Sequence, residues 1–193
     1  MSDFDINDAI HDPIETAAER KSRINSLVAI FVAVTATFMA LCNVKDGNIV
    51  QAMSQAQAHS IDAWSYFQAK STKQSIAEDA LEQLLAQPGK SNDTLIAKYR
   101  KQIIRYENEK AAIKAQAESY QKEYDDINLF DDQFDMTDAL LTIAIAMFGI
   151  TSLTQKKWLL WFSASVALLG IVLGLAAFMK ISLHSDFVSR ILG

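Results

Sequence analysis

Six aspartates, Asp125, Asp126, Asp131, Asp132, Asp135 and Asp138, crowd one short stretch of the chain. Clustered carboxylates are the ligand chemistry of Ca²⁺ and Mg²⁺, so this stretch is the first place to look for a site. Its spacing is not that of an EF-hand: no glycine supplies the sharp turn and no glutamate closes the loop at the twelfth position. The plainer reading is favoured, in which these acids end one helical segment, keep it hydrated and start the next. Asp135 or Thr137 would then be the cap, with Asp138 in the first turn. No metal ligand set is assigned. The remaining reactive residues are scattered. His11, His59 and His184 fall in three separate regions, and the single cysteine, Cys42, rules out both an intrachain disulfide and a cysteine-based zinc site. No phosphate-cradling glycine loop, nucleophile elbow or paired-histidine helix motif occurs. The sequence therefore points away from an enzyme, names no cofactor and shows no evident small-molecule substrate.

The elements that carry these residues are more informative. Three apolar stretches, 24–44, 137–154 and 158–179, each approach the twenty or so residues that a helix needs to cross a bilayer. Most of the 18 Lys+Arg and 23 Asp+Glu residues lie outside them, and a net charge of −5 offers nucleic acid no basic field. The centres of the stretches hold no Asp, Glu, Lys, Arg or His, which disfavours a proton-coupled or ion-coupled transporter. The first stretch is read as an uncleaved anchor. Phe38, Met39, Leu41 and Cys42 place bulk where a signal peptidase needs small residues, and Leu41 does the same for lipoprotein processing at Cys42.

Orientation follows from short basic flanks, which resist translocation. Arg20, Arg23 and Lys21 precede the first stretch, and Lys156 with Lys157 fill the tight loop before the third, so both ends are expected in the cytoplasm. The resulting division is a cytoplasmic tail 1–23, span 24–44, an external region 45–136, span 137–154, a cytoplasmic loop 155–157, span 158–179 and an amphipathic tail 180–193. Trp158 and Trp161 suit an interfacial belt at the start of the third span.

The external region reads as two long helices. Residues 48–87 contain no Gly or Pro, Pro88 and Gly89 break the run, and Asn92 or Asp93 caps a second helix to about Tyr124. In that second arm Tyr99, Ile103, Tyr106, Lys110, Ile113, Ala117, Tyr120, Tyr124 and Ile127 alternate steps of four and three, the repeat of a coiled-coil seam. The first arm carries a weaker stripe of Met53, Ile61, Trp64, Phe67, Ile76, Leu81, Leu84 and Leu85. Folding the arms about the Pro88–Gly89 turn predicts an antiparallel hairpin with Phe67 near Ile113, Trp64 near Ala117, Leu81 near Tyr99 and Met53 near Ile127.

The order of features resembles an uncharacterised bacterial membrane family named for a domain of unknown function. The features that carry the likeness are the basic tail, the run from Trp64 to Gln74, the heptad-rich second arm, the segment from Phe134 to Leu140 and the basic loop before Trp158. The resemblance implies a bacterial membrane location. It brings no catalytic residues.

In the third span the small pair Gly170 and Gly174 permits close helix approach, either within the chain or between chains. The sequence thus predicts an all-α protein with three transmembrane helices and a long external helical hairpin between the first and second. It is expected in the bacterial inner membrane with the hairpin on the periplasmic side, as a structural or interaction protein whose partners are the lipid bilayer and either its own copies or another membrane protein. The alternative is a pore or channel-associated subunit with Thr35, Thr37, Thr142 and Thr151 along a path.

Overall fold

The structure, a computed structural model, describes the backbone of residues 6–86 and 92–181 and the side chains of these from residue 19 onward. The expected turn at Pro88 and Gly89, His11, His184 and the amphipathic tail beyond Ile181 lie outside the described residues. All regular structure among the described residues is helical: α1 (Ile6–Leu85), α2 (Asp93–Thr154) and α3 (Lys157–Phe178).

Two of these helices run further than the sequence divisions suggest. α1 is 80 residues long and carries the first apolar stretch into the polar arm without a break; α2, of 62 residues, does the same for the second. The helix start expected at Asp135 or Thr137 therefore does not occur. Asp135 lies inside α2, and the Thr137 hydroxyl donates back to the Gln133 carbonyl at 2.9 Å, as threonines within a helix do. The physical reason is the absence of a breaker: no Gly or Pro lies between residues 93 and 148, so nothing interrupts propagation. In α1, Gly47 has open space around it and weakens the helix only through its own backbone freedom.

The terminations are local and specific. Gln155 ends α2 in the left-handed region (φ 57), and Lys180 does so after α3 (φ 57). At α3 the Lys180 N–H donates to Ala177 O at 3.0 Å and the Ile181 N–H to Ala176 O at 2.9 Å, the paired bonds of a Schellman cap.

The chain divides into two units, Met1–Asn48 with Leu129–Gly193, and Ile49–Asn128. In the first, the three apolar segments pack around Ile24, Val28, Ala144, Phe148, Leu160 and Ala167. The Phe31 and Phe148 rings stack in parallel with centroids 5.5 Å apart, and Phe178 meets Phe134 edge-on at 5.3 Å. Small residues let the helices close. A Cβ added at Gly170 would lie 2.8 Å from Leu141 Cδ2, and one at Gly174 would lie 2.8 Å from Phe38 Cε1. Both glycines of the pair are thus filled by the chain's own neighbours. The outer faces are different. Only 17%, 28% and 28% of the most apolar windows of the three helices is buried, and Leu153, Trp158, Trp161, Phe162, Leu168 and Leu169 are all exposed. The three helices are long and apolar enough to cross a membrane.

In the second unit, contacts pair His59 with Tyr120, Ser60 with Ala117 and Lys70 with Glu109. On α2, Ile113 and Ala117 are buried, while Tyr99, Ile103, Tyr106, Lys110, Tyr120, Tyr124 and Ile127 are half-buried. The α1 face differs from the apolar stripe read in the sequence. Met53, Ala56, Ser60, Lys70 and Ala77 are buried, and Ala63, Phe67, Gln74, Leu81 and Leu84 are half-buried, at steps of three and four. Ile61, Trp64, Ile76 and Leu85 are exposed instead. The two helices meet through a mixed face, small at Ser60 against Ala117, aromatic at His59 against Tyr120 and charged at Lys70 against Glu109.

Candidate functional site

Titratable groups converge in each unit, and the larger gathering lies in the first. Asp46 comes from α1 just past the first apolar segment, and Asp131, Asp132, Asp135 and Asp138 come from α2 just before and at the start of the second. Asp46, Asp131, Asp132 and Asp138 are half-buried and Asp135 is exposed. Asp131 and Asp46 are hydrogen-bonded to each other. Burial pushes the Asp131 carboxyl up to about 6, helped by the nearby Asp46 and Asp135 charges and by this bond, which holds the proton on Asp131. Asp46 is also raised, first by burial and then by Asp135, while accepting the Asp131 proton pulls it the other way. One oxygen each of Asp46, Asp131 and Asp138 is buried with no hydrogen-bond partner among the described residues. Carboxyl groups brought together in this way can share a proton. No three His, Cys, Asp or Glu side chains among the described residues are grouped to hold a metal ion.

Asp125 and Asp126, counted with this cluster in the sequence, are exposed in the second unit, and Asp125 accepts a bond from Gln121 Nε2 at 3.1 Å. Asp46 is the residue that sequence reasoning missed. A signal existed: numbering that pairs 60 with 117 and runs in opposite directions on the two helices sets 46 beside 131.

The second unit holds a charged knot. Lys70 Nζ lies 2.5 Å from Glu109 Oε2, and Arg105 Nε lies 2.6 Å from the other oxygen, Oε1. Lys70 also sits over the Tyr66 ring at 5.1 Å and the Tyr106 ring at 5.5 Å. The Lys70 hydrogen bond, followed by that of Arg105, holds Glu109 below the usual carboxylate range. Glu109 in turn raises both Lys70 and Arg105. A buried lysine paired in this way can fix which residues face each other.

Several polar groups in and beside the apolar segments find partners within the first unit. Asn25 Oδ1 accepts from Ser152 Oγ at 3.1 Å and from Gln155 Nε2 at 2.8 Å, which anchors the left-handed end of α2. Thr151 and Ser163 are buried and donate back to the Met147 and Leu159 carbonyls, and Gln133 Nε2 donates to the Leu173 carbonyl at 3.0 Å. Of the four threonines considered for a path, Thr35 and Thr151 are buried within the chain, whereas Thr37 and Thr142 are exposed.

No curated protein and no solved structure matches the chain. A family described as a domain of unknown function (DUF4337) matches residues 24–180, from the first apolar segment through the end of α3. The chain belongs to that family.

Proposed function

We propose that this chain is a multi-pass membrane protein of structural or interaction type, in the bacterial inner membrane. Segments 24–44, 137–154 and 158–179 would cross the bilayer, and 45–136 would form an antiparallel, coiled-coil-like helical hairpin outside it that mediates assembly or partner binding. The observation that carries the membrane part is the low burial of the apolar helices: the most apolar window of α1 is only 17% buried, and α3 presents Trp161, Phe162, Leu168 and Val172 outward. A water-soluble fold would hide such a surface, whereas hydrocarbon is its natural solvent. The hairpin reading draws support from the opposite-running pairs 59 with 120, 60 with 117 and 70 with 109.

The partner-binding role draws support from residues that the arm-to-arm contact leaves over. Ile61, Trp64, Ile76 and Ile104 are exposed in the second unit, and exposed apolar side chains of this size suit a further protein surface. Basic flanks at Arg20, Arg23, Lys156 and Lys157 favour a cytoplasmic location for that end, hence a periplasmic hairpin. Reporter fusions test the arrangement: one at Gly89 should be active outside, and one between Gln155 and Lys156 inside. A photoreactive residue at Trp64 or Ile76 should trap a second copy or another membrane protein in intact cells. Failure to form any adduct at either position would end the assembly role. A pore is the weaker reading, because Thr35 and Thr151 are enclosed by the chain's own packing. Reconstituted protein should leave the bilayer sealed.

A further inference from the structure

A cavity of about 350 Å³ opens between the start of the first apolar segment and the start of α3, lined by Glu19, Arg20, Arg23, Ile24, Leu27 and Lys157. Three cations against one acid leave it net positive. Among the described residues none of those cations is ion-paired. The same mouth receives the N-terminal end of α3, where Lys156 is extended, no side chain caps the helix and the first turn carries no acidic residue. Uncapped N–H groups and the positive end of the helix dipole therefore add to the side-chain charge. The other wall is apolar: Ile24 is buried in the core and Leu27 is 46% exposed. Trp158 and Trp161, at the same end of α3, are 65% and 70% exposed.

We propose that this cavity binds the phosphate of an anionic phospholipid, with Arg20, Arg23 and Lys157 around the phosphodiester and Leu27 against the first carbons of an acyl chain. Arginine forks match two phosphate oxygens at once, and lysine supplies a point charge. A free phosphate would satisfy the cations but leave the apolar wall wet, whereas a lipid satisfies both. Basic pockets between helices at a membrane boundary are suited to such headgroups. The inference rests on the membrane reading above.

The test uses the full chain, purified in mild detergent and placed in nanodiscs of phosphatidylcholine containing a minor fraction of phosphatidylglycerol. Lipids retained on release are counted by native mass spectrometry. The wild-type chain should enrich phosphatidylglycerol over phosphatidylcholine. Arg23→Gln with Lys157→Gln should lower that enrichment by about fivefold for each charge removed. A charge-matched control, Lys73→Gln with Lys101→Gln, should retain it. Should the double variant fail to reach the membrane, Lys157→Gln alone decides. Equal enrichment in variant and wild type, equal loss in the control, or full competition by inorganic phosphate would each overturn the proposal. Carbonate extraction of the cell membranes from which the chain is purified separates the two levels. A wild-type chain that stays in the membrane yet shows no lipid preference defeats only this inference, and one that washes off defeats the membrane reading beneath it.

Discussion

Asp131 of α2 and Asp46 of α1 share a hydrogen bond between carboxyl groups, with Asp135 close enough to raise both. The consequence is a pH dependence of definite sign. A carboxyl whose affinity for protons rises on folding favours the folded state most when protonated, below the ordinary carboxylate range, and this contribution is lost as pH climbs through about 6. Burial and the Asp46, Asp135 and Asp132 charges all push Asp131 upward, so nothing opposes its shift. Thermal melts in detergent should therefore show the first unit more stable at pH 5 than at pH 7.5, by about 1 kcal/mol once solvent screening is allowed for. Asp131→Asn should flatten that difference; an unchanged pH profile in the variant would assign the effect elsewhere.

The second unit should respond to acid in the opposite sense. Glu109 is held below its ordinary range by Lys70 and Arg105, so its contribution is present above that range and disappears as pH falls through its lowered value. Glu109→Gln should mimic the acid state, and hydrogen exchange should then quicken around residues 66–70 and 105–110 with little change in 141–148. Lys70→Met would remove the charge while keeping the bulk. It should leave Glu109 with Arg105 as its remaining partner, lower stability, and permit alternative pairings of the two arms, seen as mixed cross-linking patterns.

The glycines separate into two classes that substitution can distinguish. Alanine at Gly170 or Gly174 meets Leu141 or Phe38 at 2.8 Å and should cost about 1–2 kcal/mol. Alanine at Gly47 or Gly149, where no atom lies within 4 Å, should stabilise by about 0.5–1 kcal/mol. Chemical or thermal unfolding in detergent provides the comparison. Equal effects at all four would mean that Leu141 and Phe38 yield freely to an added methyl group.

Cross-linking tests the pairing of the arms. Ser60 Oγ donates to the Ala117 carbonyl at 3.4 Å, so Ser60→Cys with Ala117→Cys, in a chain carrying Cys42→Ser, should close a bond within one chain under mild oxidation. Ile61→Cys with Ala117→Cys, built on an exposed residue, should not. Products only between chains would mean that the contact is made by a second copy.

The all-α character and the three apolar helices are legible in the sequence because they depend on long-range composition: few breakers, strong helix formers and uninterrupted runs of apolar residues. The inward face of the first arm is not. Size searches select Ile61, Trp64 and Ile76, yet the buried positions hold Ala56, Ser60, Lys70 and Ala77, because a helix buries the face its neighbour covers and not its bulkiest residues. Nor is the continuity of α2 through Asp135 legible, since an acidic run reads as a boundary whenever its hydration is judged from sequence alone. Four aspartates of the carboxyl cluster are visible in the sequence; the fifth, Asp46, requires knowing which residue of α1 lies opposite.

The bond between Asn25 and Ser152 spans 127 residues of sequence. A ribosome adding roughly 5–20 residues per second needs on the order of ten seconds to produce the second partner after the first. During that interval a chain inserted as synthesised would hold Asn25 at the boundary of the hydrocarbon with water or headgroups as its only company. The tight reversal at Gln155 would then deliver α2 and α3 almost together, so that Asn25 would acquire Ser152 and Gln155 in a single late event. In a chain inserted that way, assembly of the three helices would be timed by the length of polar chain translated between them.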